Sequence, residues 1–104
     1  MEKDNKYRVL VDDNFHYHDE DYRREAGEYD SEAEAVSVCR QISKASLDEL
    51  YEPGMKAHDL IAKYQALGDD PWILGPEAKN IFSAWEYVEK NAKNYILKKK
   101  LYAD

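Results

Sequence analysis

The chain has one cysteine, four glycines, three prolines, and no apolar run approaching the roughly 18 residues that cross a bilayer. Each shortage removes a class of function. The lone Cys39 cannot form an intramolecular disulfide, which fits a reducing compartment. Four glycines leave little material for a phosphate-cradling loop, and neither a Gly-x-Ser-x-Gly elbow nor a His-Glu-x-x-His pattern occurs. No catalytic motif emerges, so an enzyme is not expected. The opening Met-Glu-Lys-Asp-Asn-Lys lacks a basic stretch backed by an apolar one, and the expectation is a soluble, cytoplasmic protein that makes no membrane contact.

What is present sets the scale. A chain of 104 residues forms one domain, residues 1–104, and buries roughly two thirds of its unfolded surface. Hydrophobic residues make up 43% and charged residues 36%, too apolar and aromatic for a disordered chain despite a mean hydropathy of −0.87. Nine tyrosines suit a thin core in which large residues bury a ring and keep a hydroxyl near a partner. The net charge of −7 is uneven: residues 1–34 hold twelve acids and five bases, whereas residues 35–104 hold ten of each. An acidic surface repels phosphate backbones and argues against nucleic acid as a general partner.

Alternation predicts a strand over residues 6–13, with Tyr7, Val9 and Val11 on one side and Arg8, Leu10 and Asp12 on the other. A second, weaker strand spans residues 22–29. Its faces come into phase only if a bulge at Gly27 adds a residue. Ser31 followed by Glu34 makes a capping-box pattern ahead of an apolar stripe, Ala35, Cys39, Ile42, Ser46 and Leu50, widened by Val38 and Leu47, so a helix is expected over 32–51. A second helix, 56–67, carries Leu60, Ile61, Tyr64 and Leu67, with Gly68 as a natural residue just past its end. Residues 69–76 contain two prolines and a glycine and read as an apolar loop. The last helix starts near Ser83, whose capping partner is Glu86, and its stripe is Ile81, Trp85, Val88, Ala92, Tyr95 and Ile96. The fold class is therefore α+β: an antiparallel β-hairpin followed by three α-helices in a single layer, in the order β-β-α-α-α, with the Trp72 loop available to add a short strand.

The runs YRVLVDDNFHY, GEYDSEAEA, GDDPWI and FSAWEY together resemble a set of small, uncharacterised bacterial proteins of about this length. The resemblance covers most of the chain and implies no activity. The shorter run AGEYDSEAEAVSVC resembles the strand-to-helix junction of AP2-type DNA-binding domains. That match spans fourteen residues, and the strands lack the arginines and tryptophans such a domain sets against DNA.

Four features carry chemistry. The first is the segment 11–21, which holds five carboxylates, His16 and His18. If the first strand runs on through Tyr17, then His16, His18, Asp12 and Asp19 form a nitrogen and oxygen set for zinc or another divalent metal. An EF-hand loop beginning at Asp12 is excluded, because Tyr17 stands where glycine is needed and Arg23 where glutamate is needed. The bland reading is a solvated hairpin tip whose carboxylates face Arg23 and Arg24 and protect the sheet edge. The second feature is Cys39, with no histidine in a nucleophile spacing and a place on an apolar stripe, where a packed thiol is expected.

The third is the apolar run Trp72, Ile73 and Leu74, which either folds back as a lid or stands exposed as an anchor for a protein partner. The fourth is Lys98, Lys99 and Lys100, which meet the macrodipole at a helix C-terminus or touch nucleic acid or an acidic partner, a second copy included. The leading expectation is a small non-catalytic protein-interaction or regulatory module needing no cofactor, with an unidentified protein or a second copy as partner. Divalent-metal or small-ligand binding is the alternative, and nucleic-acid contact ranks behind both.

Overall fold

The computed structural model describes residues 6–16, 19–76 and 81–101. Strand β1, Tyr7–Asp13, pairs antiparallel with β2, Arg24–Tyr29, from Tyr7 opposite Tyr29 to Val9 opposite Gly27. The register then shifts so that Leu10 faces Glu25, leaving Ala26 as the extra residue of a bulge. Gly27 has φ of 143°, a conformation that side chains disfavour. The bulge brings Ala26 and Tyr29 to the same apolar cluster.

The segment read as a loop is a strand, and this changes the fold. Strand β3, Asp69–Leu74, pairs antiparallel with the other edge of β1, placing Leu74 opposite Arg8, Ile73 opposite Val9 and Pro71 opposite Val11. The sheet order is β2-β1-β3, and the element order is β-β-α-α-β-α, with the third strand between the second and third helices. One proline removes one donor, which an edge strand tolerates, while alternation puts Pro71 and Ile73 into the interior.

Helix α1, Glu32–Leu50, starts as expected: the Ser31 hydroxyl accepts the Glu34 N–H at 3.2 Å. Its sheet-facing side is made of small residues one turn apart, Ala35, Cys39 and Ser43, all fully buried, which lets the helix sit close to the strands. Ile42 and Val38 are only half-buried. The Ser43 hydroxyl is enclosed without a hydrogen-bond partner among the described residues. Ser43→Ala is therefore expected to stabilise the fold by about 1 kcal/mol, read as a higher urea midpoint at unchanged slope. An unchanged or lower midpoint would show that the hydroxyl is satisfied.

Helix α2, Ala57–Leu67, is capped by Asp59, which accepts the Lys56 N–H at 3.1 Å. Gly68 ends it as expected, in extended conformation with φ of −80° and ψ of 172°, its N–H donating to the Tyr64 carbonyl at 2.8 Å. Helix α3, Ala84–Leu101, begins where the Ser83 hydroxyl accepts the Glu86 N–H at 3.3 Å. Ile81 precedes the helix, and Ala84 takes the buried position at its start.

Two apolar clusters result. Val9, Ala35, Cys39 and Ile73 close the space between α1 and the sheet, and Leu47, Leu60, Tyr64, Val88 and Ile96 close the space between the helices. Each large side chain so buried contributes roughly 1.5–3 kcal/mol. Among the described residues no helix is long and apolar enough to cross a membrane.

Candidate functional site

At the end of β1 the chain turns away instead of extending. Asn14 is buried, donates its backbone N–H to the Gly68 carbonyl at 2.9 Å and its side-chain amide to the Tyr64 carbonyl at 2.9 Å, and accepts from the Trp85 indole at 3.3 Å. These bonds pull Asn14–His16 into a 3-10 turn, so the strand stops at Asp13. The i, i+2 spacing expected of metal ligands is lost with it. Asp12 is held by Arg23 at 2.6 and 3.3 Å, and Asp19 accepts the Asp21 N–H at 3.1 Å.

His16 meets Asp13 at 2.9 Å and stacks on Tyr22 at 3.6 Å between ring centres. Burial pushes the Asp13 carboxyl up, but its bonds to His16 and the Phe15 N–H, with the charge of His16, hold it below the ordinary value. Asp12, His16 and Asp19 thus each have separate partners, and His18 lies outside the described residues. Among the described residues no three His, Cys, Asp or Glu side chains gather into a set able to hold a metal ion.

Trp72, Ile73 and Leu74 alternate along β3. Ile73 is 7% exposed and belongs to the core, whereas Leu74 is 44% exposed. Trp72 is half-buried on the opposite face beside Leu10, with the Arg23 guanidinium 5.2 Å above its ring and its indole N–H enclosed without a partner among the described residues. Next along this face, Asp70 stands directly across from Asp12. Burial first, and then the Asp12 charge, push the Asp70 carboxyl up to about 6. The sheet edges are guarded: β3 carries Pro71 mid-strand, and β2 carries exposed Arg24, Glu25 and Glu28.

A concave surface lies between α1 and α3. A depression of about 500 Å³ is lined by Arg40 from α1 and by Phe82, Tyr87 and Lys90 from the other wall. A smaller one of about 180 Å³ shares Tyr87 and Asn91 with it and adds Lys44, Tyr95 and Lys98. A third, about 530 Å³, shares Lys44, Tyr95 and Lys98 and adds Asp48, Tyr51, Pro53 and Lys99. Numbers rise together on both walls, so the two helices run parallel and the depressions form one groove. From Arg40 to Tyr51 and from Ser83 to Lys99 it is roughly 20 Å long at 1.5 Å per residue.

Its electrostatics oppose those of the chain. Arg40, Lys44, Lys90, Lys98 and Lys99 line it against Glu86 and Asp48 alone, in a protein of net charge −7. Lys90 lies 3.9 Å from Glu86 and Lys99 lies 3.8 Å from Asp48; Arg40, Lys44 and Lys98 form no ion pair among the described residues. At the Tyr51 end the floor is aromatic. The Tyr51 and Tyr95 rings meet edge to face at 5.7 Å, Lys99 lies 5.3 Å above the Tyr95 ring, and the Tyr95 hydroxyl donates to Asp48. Burial, then the bond to Asp48, push the Tyr95 phenol up, so it stays neutral.

Of the lysines singled out in the sequence, Lys98 and Lys99 line this groove. Arg40, Lys44, Tyr51, Tyr87, Lys90 and Tyr95 were not found as a site. The available signal was Arg40 and Lys44 one turn apart on α1 and Lys90 two turns before Lys98 on α3. Cys39 is fully buried, and burial, then the Asp70 charge, push its thiol up to about 12, which keeps it protonated and inert. Compared with known proteins, the chain matches no family model, no curated protein and no solved structure.

Proposed function

We propose that this chain is a non-catalytic protein-interaction module whose recognition surface is the groove between α1 and α3. One observation carries the reading: the groove gathers five cations, three of them without an ion pair among the described residues, on a chain of net charge −7. Unpaired like charges brought together from two helices repel one another, a cost that a bound anionic partner removes. Acid–base or nucleophilic chemistry gains no support from the groove, whose one enclosed ionisable group, the Tyr95 phenol, is held neutral. The Trp72 segment acts in this reading as scaffold, with Ile73 in the core and Trp72 under Arg23.

Photo-crosslinking tests the reading. A photoreactive phenylalanine analogue in place of Tyr87, in the groove, or of Glu28, on the sheet edge, is irradiated in cells of the source organism, and adducts are identified by mass spectrometry. The expected result is one defined protein adduct from position 87 and none from position 28. Adducts from position 28 alone, or none from either position, would overturn it.

A further inference from the structure

We infer that the occupant of the groove is a short, extended, acidic segment of another protein, anchored by one bulky apolar side chain over Tyr51, Pro53 and Tyr95. The inference rests on the reading of the groove as a protein-recognition surface and adds the chemistry of what it recognises. Length comes first: roughly 20 Å accepts about six residues of extended chain at 3.3 Å each. Charge follows from the walls. Arg40, Lys44 and Lys98 lack ion pairs among the described residues, so about three carboxylates spaced along such a segment would meet three cations.

The anchor follows from the floor. The depression at the Tyr51 end, about 530 Å³, exceeds the volume of any one side chain and presents two phenol rings and a proline under a rim of lysines. An aromatic or large aliphatic group fits that surface, with its neighbouring carboxylates on Lys44, Lys98 and Lys99.

Single-stranded nucleic acid is the other polyanion that basic, aromatic grooves hold, and charge disfavours it. A run of phosphates as long as the groove would carry about twice its net positive charge toward a chain that is acidic elsewhere.

The test uses defined probes on the full chain: a fluorescein-labelled, C-terminally amidated hexapeptide Glu-Ser-Phe-Asp-Ser-Glu, the same peptide with Ser for Phe, a Lys-for-acid version, and a hexameric oligothymidylate, each read by anisotropy. Backbone amide shifts of the unlabelled protein locate the site. The acidic Phe peptide is expected to bind, to weaken about tenfold with Ser at the anchor, and to weaken at least tenfold in the Lys44→Glu, Lys98→Glu variant, whose exposed substitutions leave the core untouched. Shifts should centre on residues 44–51 and 95–99.

Oligothymidylate bound as tightly as the peptide would overturn the inference, as would binding by the lysine peptide, indifference to the anchor, or shifts confined to the sheet. Failure of all four probes beside a positive crosslink from position 87 would overturn the acidic-segment assignment while the interaction reading stood. Failure of both experiments would remove the two together.

Discussion

Gly68→Ala is expected to lower stability by about 3 kcal/mol, at the upper end for overpacking of a closed interior. The cause is space. A Cβ at position 68 would lie 2.6 Å from Tyr64 Cε1, closer still to its Cδ1, and 2.8 Å from the Tyr64 carbonyl oxygen. The tyrosine has nowhere to go: it is fully buried between the helices, its hydroxyl donates to the Asp69 carbonyl, and its own carbonyl receives both the Asn14 amide and the Gly68 N–H. Backbone conformation is no obstacle, since φ of −80° suits any residue.

Gly54 supplies the converse. With φ of 92° and open space around it, Gly54→Ala should cost only the conformational penalty, about 1 kcal/mol. Thermal denaturation separates the two, the first variant melting more than about 10 °C below the parent and the second by a third of that. Equal losses would refute the steric account.

Asp70→Asn should act in the opposite direction, raising stability by about 1–2 kcal/mol at pH 7.5. The folded protein holds this carboxyl near pH 6 against an ordinary value of 3.8, so at neutral pH it carries an ionised group in a place that favours the neutral one. A raised carboxyl contributes its full stability below the unfolded value and loses it as pH rises through the folded value, a window of about pH 4 to 6. The full shift corresponds to about 3 kcal/mol, reduced here because Asp70 is partly open to water. The gain in Asp70→Asn should therefore fall to about a fifth of its neutral-pH size at pH 4, where the folded carboxyl is neutral and the unfolded one about half ionised. Urea unfolding at the two pH values checks it. A pH-independent gain would mean that packing, not charge opposite Asp12, is the origin.

Much of the architecture could be read from local pattern because local physics decided it. Ser31 with Glu34 and Ser83 with Glu86 cap the two long helices, and the alternation of Tyr7, Val9 and Val11 marks the central strand. The third strand was legible only as an option of the Trp72 loop, because Pro71 and Gly75 signal a loop and only pairing with a strand some sixty residues earlier turns Asp69–Leu74 into an edge. For the same reason the end of β1 was misread. Nothing near Asn14 in the chain indicates that the end of α2 will capture its amide and N–H.

The groove was hidden in another way. Arg40 and Lys44 are separated from Lys90 and Lys98 by about fifty residues, and each looks like an ordinary solvated base until α1 and α3 lie parallel. Lys98 and Lys99 were noticed as part of a run, a weaker clue than the wall they belong to.

The central position of β1 has a consequence for how the chain comes to be folded. The strand is made before the helices it packs against, yet one of its two neighbours, β3, follows more than fifty residues later. On the ribosome, then, the nascent hairpin carries Val9 and Val11 with an unsatisfied edge until residue 74 clears the exit tunnel, and α1 lacks Ile73 to close over. Completion of the sheet accordingly waits for β3, and a fragment stopped before it would expose a sticky strand.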